Sequence, residues 1–173
     1  MKRIFIFFAA CMMAAGVMAQ NEFGIIAGGI NGLSFKHWFS AKGAIQTDLA
    51  VGLTAAPLGI YTGGQKILSA TNPQYDFTLN PNLLGHISIG PMFQLYGGAG
   101  VNFGLVSDLN NTNPDLIMGK AGVNAVVGTA INISVMTLAL DFRPGYGLGF
   151  RGNTDTFVHF FDWKLGLALR YRF

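Results

Sequence analysis

Three histidines and one cysteine are the side chains of this 173-residue chain best suited to proton transfer, nucleophilic attack or metal binding, and their placing argues against each. A catalytic triad needs nucleophile, base and orienting group within hydrogen-bond reach. His159 has Thr154, Asp155 and Thr156 near it, but no serine that an extended register would put on its face. His37 and His86 stand far apart without metal-ligand spacing, and the one cysteine, Cys11, lies in the apolar leader. A zinc site asks for three or four such ligands together. Gly97-Gly98-Ala99-Gly100 lacks the strand-then-helix setting of a phosphate loop. The expectation is therefore no enzyme, no metal and no cofactor.

The charged residues are the other candidates, and they are few. Charged residues make up 11% of the chain against 51% apolar, and 24 residues are glycine. A globular domain carries about 25% charged residues and about 7% glycine, so an ordinary cytosolic enzyme and solvated disorder are both excluded. A membrane or envelope protein fits. The Lys/Arg residues form no dense patch interleaved with aromatics, so no nucleic-acid partner is expected.

The elements that must position these charges have a period of two. In 157–173 the odd positions Phe157, Phe161, Trp163, Leu165, Leu167, Leu169, Tyr171 and Phe173 are apolar or aromatic, with His159 among them; Asp162, Lys164, Arg170 and Arg172 are even. A helix of 3.6 residues per turn cannot sort such a set onto one side, whereas a strand with two unlike faces does. The alternation recurs in 134–149, 92–106 and 44–54. It predicts eight strands, at about 22–30, 33–39, 44–54, 75–88, 92–106, 116–130, 133–149 and 156–173. Connections 40–43, 89–91 and 130–132 are short; 55–74, 107–115 and 150–155 are longer and polar, and Asn31-Gly32 reads as a tight hairpin at an outer position. Short turns at one end and longer loops at the other are the plan of an outer-membrane barrel with an even strand count. From Trp163 to Phe173, ten residues of strand tilted by about 40° rise about 25 Å, the height of such a barrel's apolar band. The predicted fold is all-β, an eight-stranded antiparallel transmembrane β-barrel.

This parity sends Lys36, Asp48, Asp76, Lys120, Asp141, Arg143, Asp162, Lys164, Arg170 and Arg172 to the inside, with Asn80, Asn82, Gln94, Asn102 and Asn124. Eight strands leave an interior only wide enough for side chains to fill, so these charges should pair across it. Lys36, Arg170 and Arg172 fall near the periplasmic end. They are either solvated or ion-paired at the mouth, or they bind anionic lipid headgroups or a periplasmic partner.

Met1-Lys2-Arg3, an apolar stretch to Val17 and a small residue at Ala19 ahead of Gln20 form a secretory signal peptide, expected to be cut between Ala19 and Gln20. The division is 1–19 signal peptide and 20–173 barrel. Phe8-Ala9-Ala10-Cys11 loosely resembles a lipoprotein cleavage box, but a cut there would leave a very short hydrophobic region and a further apolar run after it. Without Lys2 and Arg3 the balance becomes nine basic against eight acidic residues. One rival fold has to be weighed: residues 121–140 are uncharged, and a hydropathy window reads them as a transmembrane helix, but Asn124, Asn132, Ser134, the β-branched content and the alternation that resumes at Asp141 and Arg143 stand against it.

With the Ala19-Gln20 junction, the segment Gly-Leu-Ser-Phe-Lys-His-Trp-Phe at 32–39, and Leu-Arg-Tyr-Arg-Phe at 169–173, the chain resembles the small eight-stranded outer-membrane barrels of the OmpA/OmpX type, in Bacteroidota-like versions. The resemblance implies location in a Gram-negative outer membrane. It also implies that Tyr171 and Phe173 form a signal read by the barrel-assembly machinery. The chain stops at Phe173, so a periplasmic peptidoglycan-binding domain is not expected. The function expected is structural or surface-interacting: outer loops, chiefly 55–74 with 107–115, would meet an external ligand, a host surface or lipopolysaccharide. A narrow low-conductance pore is the alternative, and a lipid-modifying enzyme stands behind it.

Overall fold

The computed structural model describes residues 20–54, 74–108, 117–150 and 157–173. They form eight strands: β1 (Asn21–Gly28), β2 (Asn31–Trp38), β3 (Gly43–Thr54), β4 (Gln74–Ile89), β5 (Phe93–Asp108), β6 (Ile117–Ile133), β7 (Met136–Phe150) and β8 (Phe157–Arg172). Each is antiparallel to its chain neighbour, and β8 returns to β1, so the sheet is one closed barrel. No expected strand end misses by more than three residues. At the seam the Asn21 N–H donates to the Phe173 carbonyl at 2.9 Å and the Phe173 N–H donates back at 2.8 Å.

Each strand separates two environments. Along β7, Thr137, Ala139, Asp141 and Arg143 are buried while Leu138, Leu140 and Phe142 are exposed. Along β8, Ala168 and Arg170 are buried while Leu165, Leu167 and Leu169 are exposed. The outer wall is thus a continuous belt of Leu, Ile, Val and Phe, far larger than the apolar patch a soluble monomer tolerates. A closed sheet has no edge, so its backbone is satisfied without water, as a bilayer demands.

A rival fold falls, and one expectation is corrected. Residues 121–140 are not a helix: they are most of β6, the turn at Ser134-Val135 and the start of β7. Asn132 bonds Thr137 and Arg172 through its side chain, which a lipid-embedded helix would leave unmet. No helix among the described residues is long and apolar enough to cross a membrane.

The tight turn at the outer position is Gly29-Ile30, two residues before the expected one; Asn31 and Gly32 already lie in β2, opposite Val51 and Ala50. The Asn31 side chain makes the turn from outside it, accepting from the Gly28 N–H at 3.1 Å and donating to the Gly28 carbonyl at 3.0 Å. Gly28 takes φ 125°, which a Cβ would oppose. Ile30 folds inward and is buried beside Ile26.

Candidate functional site: the charged lumen

The inward side chains form three polar layers along the barrel axis. In the middle layer, Arg143 of β7 lies 2.5 Å from Asp48 of β3 and also pairs with Asp141, its neighbour two residues back. Gln46 donates to Asp48 at 3.1 Å and to Asp141 at 3.2 Å. The Tyr96 hydroxyl of β5 donates to Asp141. Arg170 of β8 stands 3.7 Å from Asp141 and donates through Nε to the Ser34 hydroxyl of β2 at 2.8 Å. Five strands meet here around two carboxylates and two guanidinium groups. Solvent does not reach Asp48, Asp141 or Arg170, all 0% exposed.

Toward the end where Gln20 and Phe173 lie, Lys36 is 3.3 Å from His86 Nε2 and 4.4 Å from the centre of the Tyr96 ring. The Trp38 ring packs against His86 with centroids 4.1 Å apart and the planes tilted by 46°, and it donates through Nε1 to Glu22 at 3.0 Å. Arg172 completes the layer, 3.5 Å from Glu22 and donating to Asn132 at 2.6 Å and Thr137 at 3.1 Å. Toward the far end, Asp76 holds Lys164 at 2.5 Å and Lys120 at 3.5 Å. Between the far and middle layers remains a cavity of about 30 Å³ bounded by Ile30, Lys120, Asn124, Arg143 and Lys164, enough for roughly two waters.

The close packing depends on missing side chains. A Cβ at Gly128 would overlap the Tyr96 ring, so the ring reaches Asp141 only because β6 carries glycine opposite it.

Of the residues expected inside, Asp48, Asp141, Arg143 and Arg170 come together in the middle layer, and Lys120 and Lys164 meet at Asp76. Lys36 joins none of these carboxylates directly and sits among aromatic rings. Asp162 lies on β8 opposite Gly145, its side chain outside the described residues, as is that of His159 opposite Leu148. Lys36 and Arg170 are not solvated at a mouth: they are 1% and 0% exposed, because Trp38, Glu22 and Arg172 close the lumen below them. Tyr171 and Phe173 lie on the outer wall with stacked rings 6.4 Å apart. Ala19 is outside the described residues; Gln20 is exposed and its carbonyl accepts from the Trp38 N–H at 3.0 Å.

Glu22, Trp38, His86 and Tyr96 are lumenal residues that the charge pattern alone does not single out. Strand parity places all four: Glu22 is in phase with Ile26, Trp38 with Lys36, His86 with Asn82, and Tyr96 with Asn102. Among the described residues no group of three or more His, Cys, Asp or Glu is placed to hold a metal.

A closed eight-stranded antiparallel barrel with an apolar outside and an ion-paired inside defines the class: the chain has the fold of the small outer-membrane barrels. Two solved structures share it. Neisserial surface protein A superimposes with a TM-score of 0.53 at 12% identity, over 90% of this chain and 94% of that one. A major outer membrane protein from Thermus thermophilus superimposes with a TM-score of 0.52 at 15% identity, over 90% of this chain and all of the other. No family model and no curated protein matches the sequence.

Proposed function

We propose that the chain, once residues 1–19 are removed, is a non-conducting barrel of a Gram-negative outer membrane whose far-end connections act at the cell surface. The observation that carries this reading is the middle layer. Asp48, Arg143, Asp141 and Arg170 are mutually paired and closed to solvent, which leaves a rigid plugged scaffold and no aqueous path. Chemistry on a rigid barrel of this kind falls to its loops. Connections 55–73, 109–116 and 151–156, outside the described residues, join the strand ends Thr54 to Gln74, Asp108 to Ile117 and Phe150 to Phe157. Their partner is an external ligand, a host surface or lipopolysaccharide. One structural neighbour is itself named a surface protein.

The test has two arms. Planar-bilayer recording of the purified barrel should give no conductance steps; regular steps would replace this reading with a narrow pore. Cells that lack residues 60–72 of the chain should keep the folded barrel but lose binding to host-cell matrix or purified lipopolysaccharide. Unchanged binding to both would remove that connection from the surface role.

A further inference from the structure

The outer wall is not uniformly ridged. Gly85 of β4 and Gly97 of β5 pair directly and both belong to its outward parity, between Leu83 and Ile87 on one strand and Leu95 and Ala99 on the other. Without side chains there, the wall sinks into a groove of about 450 Å³. Ile87 and Leu95 bank it on one side, Leu140 and Phe142 on the other. Its size falls within the about 300–1,000 Å³ of small-molecule sites. Its lining is almost wholly apolar.

The groove begins beside the turn 39–42 at the terminal end: the His86 N–H, next to Gly85, donates to the Lys42 carbonyl at 2.7 Å, and Gly43 pairs with Gly85. Lys42 is exposed, and it is the one charged residue in the three short turns of that end. An apolar trough that opens on the lipid-facing belt beside an exposed cation matches an amphiphile with an alkyl chain and an anionic head. It does not suit a second barrel, whose own convex wall cannot follow a trough between two raised banks.

We propose that this groove seats one acyl chain of a phospholipid from the adjoining leaflet, with its phosphate at Lys42. The proposal rests on the membrane reading above and adds a specific lipid site to it. The site can be filled without breaking the wall, because a Cβ on Gly85 would stand 3.8 Å from its closest neighbour and one on Gly97 would stand 3.6 Å away, both ordinary contacts.

The experiment reconstitutes wild type, the G85L/G97L double variant and K42Q in vesicles of mixed phosphatidylethanolamine and phosphatidylglycerol, then counts retained phospholipid by native mass spectrometry. Wild type should keep one more phospholipid than G85L/G97L at the same heat-dependent gel shift. K42Q should lose the preference for phosphatidylglycerol. Equal lipid counts overturn the site. A wild-type dimer that G85L/G97L dissolves overturns it in favour of a second copy. Should G85L/G97L not fold, wild type in vesicles doped with a phospholipid photo-reactive in its acyl chain decides: labels concentrated on Ile87, Leu95, Leu140 and Phe142 support the groove, and labels spread evenly around the belt overturn it. A wild-type chain that neither inserts nor shows a heat-dependent shift fails the membrane reading itself, a result distinct from an inserted barrel that holds no extra lipid.

Discussion

Arg143 and Asp48 stand 95 positions apart in the chain and 2.5 Å apart across the lumen. The contact exists only when the barrel is closed, since β3 and β7 are not neighbours in the sheet. Asp141 shares the same guanidinium and also lies 3.7 Å from Arg170, so two cations offset two buried carboxylates.

Arg143→Met should therefore cost about 3–5 kcal/mol of unfolding free energy, the penalty for stripping a buried charge of its partner. Replacing Asp48 by asparagine in the same chain should restore part of it, since Asp141 keeps Arg170. Urea titration of the barrel in vesicles, read by the heat-dependent gel shift, checks both; an R143M barrel as stable as wild type would show that the layer is not energetically coupled.

Leu167 faces out at 52% exposure, midway along the β8 belt. Leu167→Arg should cost about 2–4 kcal/mol by the same titration, as expected for a cation near the bilayer midplane. Leu167→Phe should be near neutral. Equal stability of the two would mean that this face meets water.

Gly128→Val places side-chain atoms where the Tyr96 ring lies and should destabilise by about 1–3 kcal/mol through overpacking. In a Tyr96→Leu background the same substitution should cost less. A cost that does not change with the residue at 96 would separate Gly128 from the ring.

Phe173→Ser keeps both backbone hydrogen bonds to Asn21 and removes only an outward ring that stacks on Tyr171. Stability of the refolded barrel in vesicles should change little, while the amount assembled in the outer membrane of cells falls several-fold. Equal loss in both assays would make the ring a packing residue and not an assembly signal.

The alternation of Leu138, Leu140 and Phe142 with Asp141 and Arg143 is legible in the sequence because the two sides of the wall demand opposite polarity. The same rule places Lys36, Asp48, Lys120, Lys164 and Arg170 inward. Polarity is silent where the lumen is itself apolar: Ile26, Leu84 and Val126 are buried inside, and the aromatic Trp38 is inward by its phase with Lys36 alone, as Tyr96 is by its phase with Gln94. Pairing across the lumen is also out of its reach, since Asp48 meets Arg143 through barrel geometry and not through any local spacing. The turn at Gly29-Ile30 escapes because Asn31, the expected turn residue, shapes it through a side chain from within the next strand.

The hairpin of β1 and β2 has eight residues in each arm, whereas β4 to β8 have fifteen to seventeen. Eight residues make about 26 Å of strand and, at a tilt of about 40°, a wall roughly 20 Å high, below the about 25 Å of a typical apolar band. On that flank the protein is shorter than the hydrocarbon it faces, and on the opposite flank it is taller. Hydrophobic mismatch of this one-sided kind is relieved by local thinning of the bilayer or by leaning of the whole barrel. In a bilayer the molecule would thus have a preferred direction in the membrane plane, set by the short flank of β1 and β2.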